Sequence, residues 1–582
     1  MPTPDPASYT GRPWHILDAS ASAVSTLIDT LGLPAVVARL AVLRGFVDPE
    51  AVVAFMRASL GDMPDPAAMA DIDRAVDRLL TAVQAGEKIT IYGDYDVDGV
   101  TSTAVLWLFF RDTFGVELDT YIPHRLREGY GLNLAAIDHL ADTGTQVLVT
   151  VDNGSAAVEE VAHAQARGVD VIVVDHHQVS DPEPPAYAHL NPHRRTCGFP
   201  DRDLAAVGVA FLVLVQIRRK LREATFFDGP LPRPDHYLDL VALGTVADVA
   251  PLRGLNRAIV RYGVDRIRSG PRTGVKALMD VSRCTPESLT ARDLGFRLGP
   301  RINAAGRLDD ASRGLRLLIG EDRVAVRGLA DAVEVQNQKR RQIQERMIEE
   351  ALAMVHDDDA LADAPALVLA GEDWHPGVVG IVASRVVETF HRPAILLARD
   401  GNIYKGSARS TGDVNIKAAL DGCAHLLMRY GGHVAAAGMT LRVDALEAFR
   451  AALAEEVERV RGPDPGPPPF EIDAEVELRH LRWADVEALQ QLGPFGQGNP
   501  APKILSRGVL GKGRLLKGEH LKIFTRAADG PCEALAWNMG ECVSWCEGPV
   551  DLVYSPIIET WRGRQRLVLK MADIRPSAGG AP

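Results

Sequence analysis

Residues 89–99 read Ile89-Thr90-Ile91-Tyr92-Gly93-Asp94-Tyr95-Asp96-Val97-Asp98-Gly99, a short apolar run followed by three alternating aspartates. Two later stretches have the same form, VLVTVDNG at residues 147–154 and VIVVDHH at residues 171–177. Short continuous apolar runs followed by helical patterns predict buried parallel strands. In an open α/β sheet the ligand lies outside the carboxyl ends of such strands. The sequence therefore predicts that three acidic clusters converge on one crevice.

So many acidic side chains in one place repel one another strongly unless cations bind among them. Two divalent cations held close together can activate a water, orient a phosphodiester and stabilise the leaving oxygen. We expect Asp96 and Asp98 to lie on the same side of an extended segment, each serving a different metal. Asp152, at the centre of the strand series, is the candidate bridge. Oxygen-rich ligation with one imidazole favours Mn²⁺ or Mg²⁺ over zinc.

Two adjacent histidines, His176 and His177, follow the third predicted strand. Such a pair is more often structural, but the preceding strand and Asp175 favour a functional role here. We expect the two rings to diverge, so that one binds metal while the other contacts the substrate or leaving group. A predicted helix over Tyr237–Val246 places a fourth acid, Asp248, at a helix end.

Two other interpretations of the aspartates are an EF-hand loop and simple strand ends. An EF-hand loop also begins with alternating acids, but it needs a bidentate Glu at its twelfth position. Counted from Asp94 that position is Val105, and a strand rather than a helix precedes the loop. Asp and Gly also end strands simply because both favour turns. Turn preference can explain one acidic cluster at a strand end, but it explains three such clusters in consecutive strands poorly.

Length and composition describe an ordinary globular protein of three or four domains, with 582 residues, 46% of them apolar and 24% charged. The formal net charge of -13 argues against a globally basic nucleic-acid binder. Residues 503–575 nevertheless carry twelve Lys or Arg against eight Asp or Glu, so a polyanion contact is expected there.

Cysteine usage and the absence of a signal pattern predict a reducing cytoplasm, and no transmembrane segment is expected. Cys542 and Cys546 could form half a zinc site, but no second pair lies nearby, which favours incidental thiols. The six cysteines are scattered, at Cys197, Cys284, Cys423, Cys532, Cys542 and Cys546.

The chain is predicted to be an α/β protein with a parallel-sheet domain, a long linking helix, a second α/β domain and a C-terminal β-barrel. The linking helix is predicted from an uninterrupted segment between Leu329 and Val355 without Gly or Pro. A proline-rich stretch over residues 462–469 predicts a semi-rigid linker. The predicted bounds are 1–85 for a helical lead-in, 86–325 for the parallel-sheet domain and 326–360 for the linking helix. The second α/β domain is predicted over 361–461 and the C-terminal barrel over 470–576.

Several motifs resemble the RecJ branch of the DHH phosphoesterase superfamily. They are Asp175-His176-His177, GDYDVDG at 93–99, GTVADVAPL at 244–252 and GPRINAAGRLD at 299–309. WHPG at 374–377, KGSARS at 405–410 and GGHVAAAG at 431–438 resemble the DHH-associated domain. The likeness extends from Trp14 to Arg575.

Members of that branch are cytoplasmic bacterial exonucleases that degrade single-stranded DNA from its 5′ end to mononucleotides, using Mn²⁺ or Mg²⁺. The resemblance implies a C-terminal OB-fold and a role for His177, Asp152, Arg301 and Asn303 in catalysis, with His177 near the scissile phosphate. It implies a two-ion shell made of Asp94, Asp96, Asp98, Asp152, His176 and Asp248. As partners it implies single-stranded DNA, single-strand-binding protein and a RecQ-like helicase, with the chain itself a monomer.

Candidate nucleic-acid contacts combine guanidinium groups, which match phosphate oxygens, with backbone that a phosphate can approach closely. In the first part of the chain they are Arg301, Arg307, His375, Ser407, Arg409, Gly432 and His433. A Gly hinge remains the alternative at Gly431 and Gly432. In the C-terminal domain they are Lys512, Arg514, Lys517, Lys522, Phe524, Arg562 and Arg564, where charge would follow the backbone and rings would stack on bases. Basic strand edges that serve only solubility are the alternative there.

The predicted function is a processive, metal-dependent 5′-to-3′ single-strand DNA exonuclease in recombination and repair. We expect the linking helix to let the catalytic domain and its partner close round one strand. One rival is a DHH phosphoesterase acting on short oligoribonucleotides or small nucleotides, and the C-terminal barrel argues against it. The other is a non-catalytic replication scaffold, and the intact acids argue against that one.

Overall fold

The computed structural model describes residues 7–125, 127–223, 231–308, 310–461, 467–561 and 563–577. The described chain forms two compact units. The first contains the described residues up to Gly306, Asp310–Glu334 and the described residues from Pro469 onward. The second contains the described residues of 307–309 together with those of 335–468.

The first unit begins with a small N-terminal region and continues as alternating strands and helices. The N-terminal elements are β1 (Trp14–Ile16), α1 (Ala21–Leu31), α2 (Ala35–Leu43), α3 (Pro49–Arg57) and α4 (Ile72–Ala85). The alternating elements are β2 (Ile89–Tyr92), α5 (Val97–Phe114), β3 (Asp119–Tyr121), α6 (Leu134–Asp142), β4 (Val147–Val151), α7 (Val158–Ala166), β5 (Asp170–Val174) and β6 (Ala188–Leu190).

A helical region follows and ends in one long helix. Its elements are α8 (Ala206–Glu223), α9 (Leu238–Ala247), α10 (Gly254–Ser269), α11 (Thr273–Val281), α12 (Ala291–Asp293), a π-helical turn (Leu294–Leu298), α13 (Gly299–Leu308), α14 (Ser312–Ile319) and α15 (Arg323–Asp357). The predicted long helix is confirmed, and the division between the two units falls within α15 after Glu334.

The five strands β2 to β6 form one parallel sheet in the order β3-β2-β4-β5-β6. Every residue of β2 and β4 is buried. Alternate residues face opposite sides: Val149 packs in a core with α5 and α8, whereas Leu148 packs in a core with α6 and α7. Burial on both faces explains why these strands are continuous apolar runs in the sequence.

The second unit is a mixed sheet flanked by helices. Its elements after α15 are α16 (Asp359–Asp363), β7 (Leu367–Gly371), α17 (Val379–Phe390), β8 (Ala394–Asp400), β9 (Ile403–Arg409), α18 (Ile416–Gly422), β10 (Leu427–Gly432), β11 (Ala436–Arg442) and α19 (Leu446–Arg461). The strand order is β10-β11-β9-β8-β7, with β7 and β8 parallel and the other pairs antiparallel.

The C-terminal domain of the first unit is mostly β-sheet. Its elements are β12 (Phe470–Ile472), β13 (Ala474–Glu475), α20 (Trp483–Gln490), β14 (Ile504–Val509), β15 (Lys512–Leu516), β16 (His520–Ala527), β17 (Gly530–Ala536), β18 (Val550–Trp561) and β19 (Arg564–Pro576). Seven of these strands form one sheet in the order β13-β14-β18-β19-β17-β16-β15. Among the helices that the structure describes, none combines the length and apolar character needed to cross a bilayer.

The N-terminal region packs against this C-terminal domain. Strand β1 pairs in parallel with β12, and Val37 and Leu40 of α2 share a buried core with Val486 of α20 and Ile504 of β14. The predicted helical lead-in is therefore an integral part of the first unit, and it also contains the strand β1.

Candidate metal centre and nucleic-acid-binding surfaces

The predicted acids converge at the carboxyl edge of the parallel sheet. Asp94 follows β2, Asp152 follows β4 directly, and Asp248 caps the end of α9. Asp94 and Asp152 are each only 2% exposed, and Asp98 is 1% exposed. These carboxylates therefore lie together in an almost fully desolvated crevice, as the strand ends predict.

Three overlapping sets of side chains have ligand atoms within 4.8 Å of one another. The sets are Asp94, Asp96 and Asp152; Asp98, His176 and Asp248; and Asp152, His176 and His177. Asp152 and His176 each belong to two sets, so both lie at the middle of the cluster. The shared position of Asp152 supports its assignment as the bridging carboxylate.

The electrostatics of the cluster show a shortage of positive charge. Burial, then the carboxylate of Asp96, raises the pKa of Asp98 to about 7. Burial and the carboxylates of Asp98 and Asp96 raise the pKa of Asp248 to about 9, and the pKa values of Asp94 and Asp152 rise well above the ordinary value for the same reasons. Bound cations would return these groups to the ionised state.

Unpaired buried atoms indicate where such cations would bind. Within the described residues, Oδ1 of Asp94, Oδ1 of Asp152 and Nε2 of His176 are buried without a hydrogen bond, although the last two atoms lie 3.3 Å from each other. A buried polar atom left unpaired costs about 1–3 kcal/mol, so three in one crevice need an explanation. Burial lowers the pKa of His176 to about 4, which leaves a neutral imidazole able to bind metal. This donor set fits two Mn²⁺ or Mg²⁺ ions.

The local conformation around Asp96 and Asp98 differs from the prediction. Asp96 is the N-cap of α5, and its carboxylate accepts hydrogen bonds from the amides of Asp98 at 2.9 Å and Gly99 at 3.1 Å. Asp98 lies in the first helical turn, where its two oxygens accept from the amides of Ala206 and Val207 at 2.7 and 2.9 Å. The expected extended segment is therefore wrong, because a capping aspartate starts the helix there.

Asp175 holds the two histidines together. Its Oδ1 accepts from the amides of His176 and His177 at 2.8 and 3.1 Å and lies 2.8 Å from Nδ1 of His177. The ring centroids of the two histidines are 4.5 Å apart, so the expectation that they diverge is wrong. Burial opposes charge on His177, but the hydrogen bond to Asp175 and the nearby carboxylates raise its pKa to about 9.

One residue beside the centre was not predicted. The hydroxyl of Tyr130 lies 3.0 Å from the carbonyl oxygen of Asp152 and 3.1 Å from Nδ1 of His177. The only local signal in the sequence is the triplet Gly129-Tyr130-Gly131, in which both glycines have positive φ, 87° and 83°. Such a turn presents the tyrosine between two glycines that adopt left-handed backbone without steric cost.

Arg301 and Asn303 lie on α13 in the first unit. Arg301 is buried, and its Nε is 2.6 Å from Oε2 of Glu334 on α15. Asn303 is half-buried on the same helix. The assignment of both residues to catalysis stays a prediction.

In the second unit, Ser407, Arg409 and Gly432 lie on neighbouring strands. Ala437 of β11 pairs with Ala408 on one side and with Gly432 on the other, which places all three candidates in adjoining positions. Nη1 of Arg409 is 2.8 Å from Oγ of Ser407. A Cβ on Gly432 would lie 2.4 Å from the carbonyl oxygen of Ala436, so close strand contact explains this glycine.

Three more candidates in the second unit lie in loops or at element ends. Arg307 donates to the carbonyl oxygen of Gly377 at 2.9 Å, and Nδ1 of His375 accepts from the Gly377 amide at 3.1 Å. The amide of His433 donates to the carbonyl oxygen of Ala436. Contact of these residues with nucleic acid remains a prediction.

The C-terminal sheet brings four candidates to one face. Lys512 pairs with Phe524 and Arg514 pairs with Lys522 across β15 and β16, and directly opposed residues share a face. Nζ of Lys522 is 4.7 Å from the Phe524 ring centroid and 2.6 Å from Glu533. Lys517 lies in the turn after β15 and Arg564 begins β19, whereas Arg562 lies outside the described residues.

Sequence reasoning missed an aromatic residue next to this face. Trp537 follows β17, is 64% exposed and packs edge-on against His520, with ring centroids 4.7 Å apart. No predicted element ends near Trp537, so no signal in the sequence indicated it.

A parallel sheet with this carboxylate and histidine centre defines a phosphoesterase of the DHH class. The family models agree: the N-terminal domain of the DHH family matches residues 88–245, the DHHA1 domain residues 363–459, and the RecJ OB domain residues 472–573.

The chain belongs to the RecJ family. It is 38% identical over 560 residues to the single-stranded-DNA-specific exonuclease RecJ of Dickeya dadantii, covering 94% of this chain and 96% of that protein. It is 37% identical to the Escherichia coli protein of the same name, covering 87% of this chain and 91% of that protein. A crystal structure of RecJ from Thermus thermophilus in complex with Mn²⁺ matches with a TM-score of 0.81 and 30% identity over 98% of this chain and 81% of that chain.

Proposed function

We propose that the protein is a Mn²⁺- or Mg²⁺-dependent exonuclease specific for single-stranded DNA, which acts in recombination and repair and releases 5′-mononucleotides in the 5′-to-3′ direction. The buried carboxylate centre carries the proposal, because its unpaired atoms at Asp94, Asp152 and His176 need cations. The RecJ relatives support the substrate and the reaction, since their names state single-stranded-DNA-specific exonuclease activity.

The chemistry follows from the residues around the centre. The side chains that would hold two ions are Asp94, Asp96, Asp98, Asp152, His176 and Asp248. When bound, such ions supply an activated water and stabilise charge on the phosphate oxygens. His177 is positioned to act as a general acid: Asp175 fixes Nδ1, so Nε2 is the nitrogen that can give a proton to the leaving oxygen. The hydrogen bond to Asp175 and the nearby carboxylates raise the pKa of His177, which favours the protonated ring.

Strand binding is assigned to the C-terminal face and to the second unit. On the face formed by Lys512, Arg514, Lys522 and Phe524, cations would follow the phosphate backbone and the ring would stack on a base. In the second unit, Arg409 together with Ser407 and Gly432 would bind a phosphate. These assignments account for a preference for unpaired strands, whose bases are free to stack.

The two rivals find less support. A phosphoesterase confined to short oligoribonucleotides or small nucleotides has no use for the C-terminal domain that the RecJ OB model matches. A non-catalytic scaffold has no need to keep buried, mutually repelling carboxylates whose pKa values are raised.

We also propose that the protein works as a monomer in the cytoplasm, with single-strand-binding protein and a RecQ-like helicase as partners. The six cysteines are all free, which suits a reducing compartment. The partners, the monomeric state and the domain bounds 1–85, 86–325, 326–360, 361–461 and 470–576 rest on likeness to the family and on the sequence pattern.

The test uses matched oligonucleotides labelled at the 5′ or the 3′ end, offered with Mn²⁺ as single-stranded DNA, blunt duplex and RNA. Immediate release of a labelled mononucleotide only from 5′-labelled single-stranded DNA is the expected result. Equal cleavage of blunt duplex would contradict the strand specificity, and hydrolysis confined to very short RNA would favour the oligoribonuclease rival. Binding without hydrolysis would favour the scaffold.

A further inference from the structure

Tyr130 is an exposed residue whose hydroxyl group nevertheless contacts the buried residue Asp152. The residue is 52% exposed, yet its hydroxyl reaches past the ring of His177 to the main chain of Asp152. The ring stands edge-on to His177, with centroids 5.6 Å apart, and edge-on to Tyr95 at 6.5 Å.

The loop that carries Tyr130 is anchored on both sides. Before it, the carboxylate of Glu128 accepts hydrogen bonds from the hydroxyl of Tyr121 at 2.5 Å and from the amide of His124 at 2.7 Å. After it, the carbonyl oxygen of Gly131 accepts from the hydroxyl of Tyr92 at 3.0 Å. The anchored ends hold the exposed tyrosine in one place, so its contact with the centre is built into the fold.

The hydrogen-bonding pattern assigns a direction to the hydroxyl proton of Tyr130. A carbonyl oxygen only accepts, so the Tyr130 hydroxyl proton must point to Asp152. The lone pairs of the hydroxyl then face the ring of His177, 3.1 Å from Nδ1 and 3.4 Å from Nε2. Oδ1 of Asp175 lies 2.8 Å from Nδ1 of the same ring. Tyr130 and Asp175 together therefore restrain the ring of His177 from two sides.

We propose that Tyr130 is a positioning residue for hydrolysis, joining the main chain of Asp152 to the ring of His177 so that the ring is held in place beside the carboxylate centre. The inference rests on the proposed function and deepens it. Asp152 has a left-handed backbone, with φ of 64°, which a non-glycine residue adopts only when its surroundings impose it. The hydroxyl of Tyr130 is one of the groups that hold this conformation.

The test is Tyr130→Phe, which removes the hydroxyl and keeps the ring. With 5′-labelled single-stranded DNA and saturating Mn²⁺, we expect kcat to fall by about ten-fold or more, since small misplacement of a reacting group costs up to about 100-fold. KM, the dissociation constant for DNA in EDTA and the Mn²⁺ dissociation constant measured calorimetrically without DNA should each stay within about two-fold, because Tyr130 donates no metal ligand.

The matched control is Tyr237→Phe, which removes a hydroxyl bonded to Asp112 near the end of α5 opposite to the centre and should leave kcat unchanged. An unchanged kcat in Tyr130→Phe beside an active parent would overturn the inference and leave the proposed function standing. A rise in KM or in the Mn²⁺ dissociation constant together with a lower thermal midpoint would show a merely structural role, which also overturns it. An inactive parent would overturn the proposed function and this inference together.

Discussion

The side chain of Asp152 is held in a position that destabilises its ionised form. It is buried among Asp94, Asp96 and Asp98, which together with burial raise its pKa. We expect Asp152→Asn to raise the thermal midpoint of the metal-free protein, because it removes a carboxyl group that folding desolvates beside like charges. Differential scanning fluorimetry in EDTA measures this. An unchanged or lowered midpoint would show that the repulsion is absent.

The same carboxyls predict how stability depends on pH. The folded-state pKa values of Asp98 and Asp248, about 7 and about 9, lie above the ordinary value of 3.8. A group whose pKa is raised by folding stabilises the protein fully below its unfolded pKa and loses that effect as the pH rises through its folded pKa. The metal-free protein should therefore lose stability between about pH 4 and pH 9, the range set by these two residues.

Mn²⁺ should oppose this loss, because it binds the ionised carboxylates and replaces their protons. The gain in thermal midpoint on adding Mn²⁺ should thus increase with pH across the same range. Thermal melts at a series of pH values, with EDTA or Mn²⁺, measure the difference. A gain that is constant with pH would contradict the raised pKa values.

For individual residues, the sequence predicted which acidic side chains come together, but it did not predict the groups that contact them. The ends of apolar strands place Asp94, Asp152 and His176 together whatever the detailed packing. The amides that bind Asp98 belong to Ala206 and Val207, far along the chain, and no local pattern indicates them. Tyr130 was missed for the same reason, since its partners become neighbours only after folding.

Among the elements, the turn from β2 into α5 depends on a glycine. A Cβ on Gly99 would lie 2.5 to 2.6 Å from backbone atoms of Asp94, closer than any real Cβ contact. We expect Gly99→Ala to displace Asp94, lower the thermal midpoint and raise the Mn²⁺ concentration needed for half-maximal activity by about ten-fold or more, as misplaced ligands or reacting groups cost factors of this order.

Gly328→Ala is the matched control for that substitution. Gly328 is exposed within α15 and a Cβ there meets no atom within 4 Å. Alanine in a helix interior is favoured over glycine by about 1 kcal/mol, so this variant should be slightly more stable and fully active. If both variants behaved alike in melts and in Mn²⁺ titrations, the close approach at Gly99 would not matter.

Elements were predicted more accurately than their ends. The strands after which the acids lie and the long helix are where the apolar pattern places them. Helix α5 begins at Val97, where the cap at Asp96 starts it, and the apolar pattern alone does not mark that start. Apolar periodicity reports which face is buried and contains little information about caps.

Within the first unit, the N-terminal region, the parallel-sheet domain and the C-terminal domain meet at Arg257. This buried residue stacks on Phe55, 3.9 Å from the ring centroid, and donates to the carbonyl oxygens of Phe55, Gln491 and Leu492. Arg257→Met should lower the free energy of unfolding by on the order of 3 kcal/mol, because it leaves buried carbonyl groups unpaired.

Chemical denaturation followed by circular dichroism measures that loss, and limited proteolysis should cut Arg257→Met faster near α20. The exposed Arg202 provides the control, since Arg202→Met should leave the unfolding free energy within about 0.5 kcal/mol. Equal stability of the two variants would mean that Arg257 does not hold the three regions together.

The role of the N-terminal region could not be predicted from the sequence. Its contacts, such as the pairing of Trp14 with Phe470, join residues separated by most of the chain. Local patterns predicted its helices, and the partner of its apolar faces became visible only in the structure. Among the C-terminal candidates, Lys512 and Arg514 lie on one face of β15, but their contact with nucleic acid stays a prediction.

The most direct measurement of the central claim is mononucleotide release from 5′-labelled single-stranded DNA by the parent protein and by Asp152→Asn, side by side in Mn²⁺ and in EDTA. We expect rapid release by the parent in Mn²⁺ alone. We expect at least about a thousand-fold slower release by Asp152→Asn, with DNA binding retained, because the variant lacks the carboxylate shared between two ligand sets. Release by the parent in EDTA, or undiminished release by Asp152→Asn, would contradict the claim.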